Sequence, residues 1–571
     1  MNRNTNMHFA ETPQINIKRS SFDESHSIKT TFNVGDIVPI MVDEILPGDT
    51  VEMDVASLVR MATPIYPIMD NLYMDQYWFF VPNRLLWAKH AEFWGENDDP
   101  WTQQTEYEIP QISAPTGGWT EGTIADYMGI PTKKSGFTVN ALPMRAYAKI
   151  YNDWFRNQNT NSVLHMYDDE TTRTGSNGTN PITDCELGGK PAKAAKFHDY
   201  FTAALPSPQK GEAVTIPLGT LAEATFPLNT KVDVTTGTGR STNLGTQGLE
   251  LRNLDGTYLN PSGTGDLWNI QYNSQNRQGY LATSGAIANG QNQGPIAPSN
   301  LYTDLSGKSL TIDMSNATGA TINALRMAFA CQKYFENAAL HGTRYIEYLK
   351  GVFGVTSSDA RFQRAEYLGG KRIPINIDQI IQTSSTNDTS PMGNTAGFSC
   401  TIDRNSAFTK SFEEHGVLMC LAVVRVDHSY QQGLDRMWTR KKWLDFYNPF
   451  FAHIGEQAIL NKEIYLQGTN VDDEAFGYQE AWAEYRYKQN KVTGYMRSNA
   501  QGSLDVWHFA DNYNALPTLS PGWMEEPKAN VDRTIAVTSQ LMHQFIGDFY
   551  FRCKYTRPMP VYSVPGLIDH V

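Results

Sequence analysis

Three segments of the sequence interleave basic and aromatic side chains, a combination that suits single-stranded nucleic acid. Cations follow the phosphates while aromatic rings stack on the bases. In residues 549–555 the period-two alternation of a strand separates Arg552 and Lys554 from the apolar side chains. Residues 438–443 enclose three cations between two tryptophans, and residues 485–488 alternate tyrosine with cations. These segments supply the candidate DNA-facing residues Arg440, Lys441, Lys442, Arg486, Lys488, Arg552 and Lys554. A subunit interface or a solvated face is the alternative interpretation.

Motifs of catalysis and metal binding are missing from the sequence. There is no Gly-x-Ser-x-Gly, His-Glu-x-x-His, Walker or EF-hand pattern, and the 12 histidines do not follow the spacing of metal ligands. His415 and His428 flank the longest apolar run and are interpreted as edge-of-core or interface residues. Adjacent carboxylates occur among turn residues, where solvated loops are expected, at 98–99, 168–169, 413–414 and 472–474. We therefore expect no catalytic residue, no metal ligand and no cofactor.

Composition narrows the class of protein. The 60 acidic and 47 basic residues leave a net charge of −13, which argues against a protein that coats nucleic acid with its whole surface. Hydrophobic residues make up 40% of the chain and aromatic residues 12%, enough for a packed core. Charged residues make up only 19%, and a polar surface with few ions loses little free energy when it is buried against a partner. Large interfaces are therefore plausible.

Membrane and secretory classes are not indicated. The longest apolar run, residues 416–424, is far shorter than the roughly 18 residues that a membrane span needs, so we expect no membrane insertion. The first residues lack the apolar stretch of a signal peptide. The 5 cysteines include no Cys-x-x-Cys pair and favour buried thiols in a reducing cytoplasm.

Strand patterns dominate the ordered part of the chain. Alternating apolar residues from 38 to 42 and from 51 to 55, separated by Pro-Gly-Asp, predict a hairpin. The aromatic run 77–81 predicts a strand covered on both faces. Further strands are predicted at 416–426, 535–537 and 549–555. Without the strand–helix alternation of a Rossmann fold or α/β barrel, the pattern favours a mainly β sandwich or barrel with large loops.

Helices and irregular segments complete the organisation. Apolar residues at spacings of three and four predict a helix from Thr321 to Leu340, and a shorter helical stretch is predicted from Arg84 to Trp94. Residues 96–220 contain many prolines and are predicted to be irregular. Between about 219 and 319 the composition shifts to Gly, Thr, Asn, Ser and Gln; its interspersed aromatic residues favour a small β-rich module over disorder.

Several ordered segments resemble one known family. Residues 43–50 (Asp-Glu-Ile-Leu-Pro-Gly-Asp-Thr), 62–71 and 79–84 (Phe-Phe-Val-Pro-Asn-Arg) are similar to the N-terminal signature of the Microviridae major capsid protein, in its gokushovirus branch. Further matches follow in order at 145–147, 198–201, 342–345, 353–355, 366–370, 481–488 and 557–570. The resemblance covers residues 9–217 and 320–571.

The resemblance implies a fold and a set of partners. The fold would be an eight-stranded antiparallel jelly roll with long inter-strand insertions and a few short helices. The protein would assemble with itself into a T=1 icosahedral virion shell around a circular single-stranded DNA phage genome. Other implied partners are a small basic DNA-packaging protein, a scaffolding protein and a pilot protein, with assembly in the bacterial host cytoplasm.

The same resemblance suggests three regions. Residues 1–30 would form an extended N-terminal arm, and 31–218 with 319–571 the jelly-roll domain. Residues 219–318 would form a variable surface insertion, protruding at the threefold axes and meeting a host cell surface receptor.

Two other classes of function compete with the capsid hypothesis. A carbohydrate-binding β-sandwich or glycan depolymerase would explain the aromatic residues, but it needs paired acid and base carboxylates in a cleft. A single-stranded-DNA-binding module would explain the interleaved segments, although the acidic balance speaks against tight autonomous binding. Particle mass, glycan turnover and salt-dependent DNA affinity separate the three hypotheses.

Overall fold

The computed structural model describes residues 18–96, 106–212, 214, 322–342, 344–384 and 391–562, with six short strands between residues 224 and 310. The chain divides into two compact units, Met1–Ala213 with Gln332–Val571, and Val214–Cys331. In the described part of the chain, none of the helices combines the length and the hydropathy needed to span a bilayer.

The protein is mainly β, with antiparallel sheets and mostly short helices. The strands, in chain order, are β1 (Ser20–Asp23), β2 (His26–Phe32), β3 (Val38–Ile45), β4 (Thr50–Met61), β5 (Leu72–Pro82), β6 (Gln111–Ser113), β7 (Thr138–Asn140), β8 (Arg173–Thr174), β9 (Ala224–Thr225), β10 (Lys231–Asp233), β11 (Trp268–Tyr272), β12 (Arg277–Leu281), β13 (Tyr302–Asp304), β14 (Ser309–Leu310), β15 (Glu366–Pro374), β16 (Ile377–Ile381), β17 (Thr395–Ser399), β18 (Thr401–Ser411), β19 (Gly416–Val426), β20 (Ser429–Tyr430), β21 (Glu456–Leu460), β22 (Ala475–Glu480), β23 (Asn490–Lys491) and β24 (Phe545–Arg557).

The helices lie in the connections between strands. They are α1 (His90–Phe93), α2 (Ile124–Tyr127), α3 (Leu142–Ile150), α4 (Pro181–Asp184), α5 (Ile322–His341), α6 (Tyr345–Phe353), α7 (Arg436–Thr439), α8 (Asn461–Ile464), α9 (Ala483–Arg486), α10 (Pro521–Met524) and α11 (Lys528–Asp532).

The larger unit is built around two large sheets, with smaller sheets of two or three strands beside them. The first, which we call the open sheet, has the order β1-β24-β4-β18, with β2 also paired to β24. Because β4 occupies one side of β24 along almost its whole length, β1 and β2 must follow one another along the other side. The second, which we call the covered sheet, has the order β15-β5-β19-β3 and is antiparallel throughout.

The main core lies between these two sheets. Alternate residues of β4 and β24 point inward and are fully buried, as period-two alternation requires. Trp78 of β5 reaches across the interface, with its ring 5.9 Å from Phe551 of β24 and 5.4 Å from Phe408 of β18. The opposite face of the open sheet carries the polar residues of the same strands.

The covered sheet is buried on its second face as well. Phe79 and Val81 of β5 and Met419 of β19 pack there against α3 in a separate hydrophobic cluster. This explains why β5 and β19 are almost continuously apolar, and it confirms the prediction that 77–81 is covered on both faces. The predicted strand at 416–426 matches β19, and the strand predicted at 549–555 lies within β24.

The predicted hairpin is wrong in its pairing, although both of its strands exist. β3 pairs with β19 in the covered sheet, whereas β4 pairs with β24 and β18 in the open sheet. The burial patterns give the reason. Residues 38–41 are buried consecutively and need cover on both faces, while β4 alternates between buried and accessible positions.

One predicted strand and two predicted helices can be compared with the structure. The segment 535–537 is not a strand, because Ile535 forms only an isolated bridge with Pro64. The stretch 84–94 is broken into a 3-10 turn at Asn83–Leu85 and the short α1. The helix predicted at Thr321–Leu340 is confirmed as α5. The prediction that residues 96–220 are irregular is wrong at α3, because Pro143 occupies the first turn of that helix, where proline is tolerated.

The N-terminal arm and the second unit can be described in part. Within the predicted arm of residues 1–30, β1 and the greater part of β2 are formed, and β2 continues to Phe32; the first 17 residues lie outside the described part. In the second unit β10 pairs with β13, β11 with β12, and β9 with β14, all antiparallel.

Candidate nucleic-acid and assembly surfaces

Exposed aromatic residues in α7, in the segment that follows it and in α9 form what we call the aromatic loop patch. It consists of Trp438, Trp443, Phe446, Tyr447, Phe450 and Tyr485. Phe450 is 93% exposed and Trp443 is 69% exposed, far more than rings of this size usually are. Contiguous exposed apolar surface of this kind marks a binding site for protein or nucleic acid.

The loop that carries the patch is held in place by specific contacts. The Asp445 carboxylate accepts the backbone N–H groups of Lys441 and Lys442 at 2.7 and 2.8 Å, and these bonds lower its pKa. Trp482 donates its indole N–H to the Phe451 carbonyl at 2.8 Å, and its ring lies 5.8 Å from that of Tyr447. The exposed rings therefore stand on an anchored loop.

Arg440 serves this anchoring rather than the outer surface. Its guanidinium lies 3.0 Å from the Glu484 carboxylate and 4.5 Å from the centre of the Tyr485 ring. Only 10% of its side chain is accessible. Its charge is therefore already neutralised inside the protein.

Three of the candidate cations at the patch are unpaired. Lys441, Lys442 and Lys488 are exposed, and none of them has an ion pair with a described residue. Arg486, in contrast, forms an ion pair with Glu480. The patch thus combines stacking surfaces with three unpaired ammonium groups.

The third candidate segment forms what we call the β24 strip, Tyr550, Arg552 and Lys554 on the outer face of the open sheet. The predicted alternation is confirmed, because Phe549, Phe551, Cys553 and Tyr555 are fully buried. Strand pairing places Arg552 opposite Asp54 and Lys554 opposite Glu52, each with a nitrogen to oxygen distance of 3.9 Å. The two cations thus face two carboxylates, which leaves the strip without excess positive charge.

At least one member of each described group of adjacent carboxylates serves a structural role. Asp169 pairs with Arg173 at 2.6 Å, Glu414 with Arg84 at 2.7 Å, and Asp473 with Lys462 at 2.5 Å. Asp472 accepts three backbone N–H groups of the turn that precedes it. Asp98 and Asp99 lie outside the described residues. Within the described ranges, no three His, Cys, Asp or Glu side chains are grouped as metal ligands.

His428 belongs to a buried ionic network that sequence reasoning missed. Its ring nitrogens lie 3.0 Å from Asp511 and 3.1 Å from Glu526, and Lys196 lies 2.9 Å from the other oxygen of Asp511. Burial alone lowers the pKa of His428, but the two carboxylates outweigh burial and raise it to about 10. Its members come from distant parts of the chain, so no local spacing signals them.

His415 has a different environment. Its ring stacks on Trp94 with centroids 4.4 Å apart, and burial lowers its pKa. His415 therefore lies at the edge of the core, as one of the two interpretations predicts, whereas His428 is buried inside the protein. All five cysteines are free thiols, three of them buried.

Comparison with known proteins assigns the chain to a family. The family described as capsid protein (F protein) matches residues 10–567. The chain belongs to this capsid protein family. The match runs through both sheets and through the loops that carry the aromatic loop patch.

Curated relatives agree with this assignment. The capsid protein VP1 of Spiroplasma virus 4 is 44% identical over 558 residues, covering 96% of each chain. The capsid protein VP1 of Bdellovibrio phage phiMH2K is 41% identical over 560 residues, covering 98% of this chain and 97% of its own. The capsid protein VP1 of Chlamydia phage 1 is 38% identical over 605 residues, with 98% and 97% coverage.

Family membership confirms two expectations from the sequence. The resemblance to the Microviridae major capsid proteins, gokushovirus branch, is confirmed. The protein is a structural capsid protein, not an enzyme, which removes the depolymerase hypothesis.

Proposed function

We propose that this capsid protein is the coat subunit of a closed T=1 icosahedral shell that encloses a circular single-stranded DNA genome. The observation that carries the proposal is the strand order of the two sheets. Each of its parts can be tested separately.

The strand order supports an eight-stranded jelly roll. With β1 and β2 counted as one position along β24, each sheet has four positions. Numbered along the chain, the open sheet has the order 1-8-3-6 and the covered sheet 5-4-7-2. Positions that follow one another along the chain lie in different sheets at every step but one, which supports the double Greek key arrangement of capsid jelly rolls.

Such a domain assembles without covalent chemistry. The sandwich is rigid, and its long loops present surfaces to neighbouring copies around the symmetry axes. Each contact need only be of ordinary size, because every subunit has several neighbours and closure adds avidity. The low content of charged residues, 19%, keeps the cost of desolvating these surfaces small.

Particle mass tests the shell. Sixty copies of the 64.1 kDa chain weigh about 3.8 MDa, which light scattering distinguishes readily from a monomer. We expect this mass, and round particles by electron microscopy, when the chain is expressed together with the other virion proteins. Material that stays monomeric under these conditions contradicts the proposal.

The genome requires positive charge that the whole chain lacks. A subunit with a net charge of −13 cannot neutralise DNA, so the phosphates must meet local cations or a separate basic partner. Among the seven candidate residues, the unpaired Lys441, Lys442 and Lys488 suit this role best. We propose that they face the DNA together with a small basic packaging protein, and that scaffolding and pilot proteins take part in assembly in the host cytoplasm.

The second unit is proposed to meet the host. Residues 219–318 would form a surface insertion that protrudes at the threefold axes and contacts a receptor. We expect that deletion of residues 222–316, with the gap bridged, leaves the jelly roll folded while host attachment is altered. Complete loss of soluble protein would show that the insertion is not peripheral.

A further inference from the structure

Helix α6 exposes the apolar side chains of Tyr345, Val352 and Phe353 to solvent. Glu347 is directed toward the protein, where it accepts a hydrogen bond from Gln158 at 2.7 Å. Gly351, four residues later on the same face, is itself exposed, but a side chain at this position would collide with His341. Tyr345, Leu349 and Val352 lie on the opposite face at spacings of four and three. A surface helix normally has the reverse orientation.

None of the nine residues of α6 is buried. Tyr345 is 65% exposed, Phe353 62% and Val352 46%. The apolar surface continues beyond the helix to the exposed Val355 and to the half-buried Phe362, whose ring lies 5.8 Å from that of Tyr345. We call Tyr345, Leu349, Val352, Phe353, Val355 and Phe362 the α6 surface.

The orientation of α6 is fixed by its N-terminus. The Arg344 guanidinium donates to the backbone carbonyls of Asn152 and Arg156 at 3.0 and 3.1 Å. The Glu347 carboxylate also accepts the backbone N–H of Arg344 at 3.2 Å. The helix cannot simply roll its apolar side inward, because these bonds and the contact at Gly351 would be lost.

We propose that the α6 surface is a contact with a second copy of this chain in the assembled shell. The inference rests on the proposed function, since a shell supplies copies as neighbours. Leu349, Val352 and Val355 are aliphatic and cannot stack on bases, so the surface suits protein better than DNA. The exposed Lys350 and Arg361 at its margin have no ion pair with a described residue, and they complement a partner whose net charge is −13.

Thiol protection tests the contact directly. Val352→Cys is placed in a chain whose two partly exposed thiols, Cys331 and Cys400, are replaced by Ser. We expect a maleimide to label Cys at this position rapidly in dissociated subunits and at least tenfold more slowly in intact shells. Equal labelling in both states overturns the proposal. Slow labelling in dissociated subunits also overturns it, because the surface would then be covered by the same chain.

A pair of substitutions at Phe353 tests whether the contact matters for assembly. Phe353→Asp puts a charge into the proposed interface, and we expect subunits of unchanged thermal stability with at least a tenfold loss of shells. Phe353→Leu keeps the position apolar and is the matched control, with a shell yield near that of the wild type. Normal assembly of the Asp variant contradicts the inference and leaves the proposed function intact. Failure of the wild-type chain to form shells contradicts the proposed function itself.

Discussion

The aromatic loop patch and the β24 strip have the same local composition but different electrostatics. Both interleave lysine or arginine with aromatic residues, and the sequence predicts the same DNA-facing role for both. In the strip, Arg552 and Lys554 lie opposite Asp54 and Glu52. At the patch, Lys441, Lys442 and Lys488 have no carboxylate within ion-pair distance among the described residues, although Lys442 interacts at longer range with Asp445 and Lys441 with Asp473.

The difference arises from strand pairing. A strand brings its neighbour's side chains alongside its own at fixed register, and the neighbour of β24 is β4, nearly five hundred residues earlier in the chain. A loop has no register to supply a partner. Composition therefore identifies segments that contain cations, whereas topology decides which of those cations remain unpaired.

The largest effect is expected on removal of a buried cation that lies between two carboxylates. His428→Gln removes the cation that lies between Asp511 and Glu526, leaving Glu526 without its ionic partner in the core. We expect a loss of about 3 to 5 kcal/mol in the free energy of unfolding of the subunit, measured with denaturant. The matched control is His165→Gln at an exposed position, which should cost no more than about 0.5 kcal/mol. A loss below about 1 kcal/mol for His428→Gln would show that the buried carboxylates do not depend on the charge of His428.

The pH dependence of the same network is the next expected effect. The folded pKa of His428 is about 10, above its ordinary value of 6.5, so the protonated ring stabilises the fold fully below about pH 6.5. This contribution is lost as the pH rises through about 10. We expect the difference in Tm between wild type and His428→Gln to shrink steadily between these two values. A constant difference would mean that the ring does not carry a proton in the folded state.

How far the sequence predicts this molecule depends on the range of the interactions involved. The alternation in β24 and the apolar run of β19 depend only on neighbouring residues, and both predictions are correct. The pairing of β3 with β19 depends on a strand far along the chain, and the local turn suggested a hairpin instead. The same limit applies to the candidate site, where neither the Glu484 partner of Arg440 nor the Asp54 partner of Arg552 can be read from local spacing.

Removing the unpaired cations tests the patch side of the comparison. The triple variant Lys441→Gln, Lys442→Gln and Lys488→Gln should weaken binding of free subunits to a single-stranded oligonucleotide. Three lost phosphate contacts reduce the slope of log affinity against log salt by about 2. Shells of this variant should contain less DNA than wild-type shells while their particle number is unchanged. An unaltered slope would exclude these lysines from the DNA surface.

Removing the paired cations should have the smallest effect. In the double variant Arg552→Gln and Lys554→Gln, the exposed pairs with Asp54 and Glu52 are lost, and such pairs contribute at most about 1 kcal/mol. The carboxylates of β4 already neutralise these two cations. We therefore expect a change in the slope of log affinity against log salt well below that of the triple lysine variant, and a DNA content near that of the wild type. If the double variant instead lost as much DNA as the triple variant, the pairing across β24 and β4 would have to open when the genome binds. Strand register would then be a poor guide to which surface cations reach DNA.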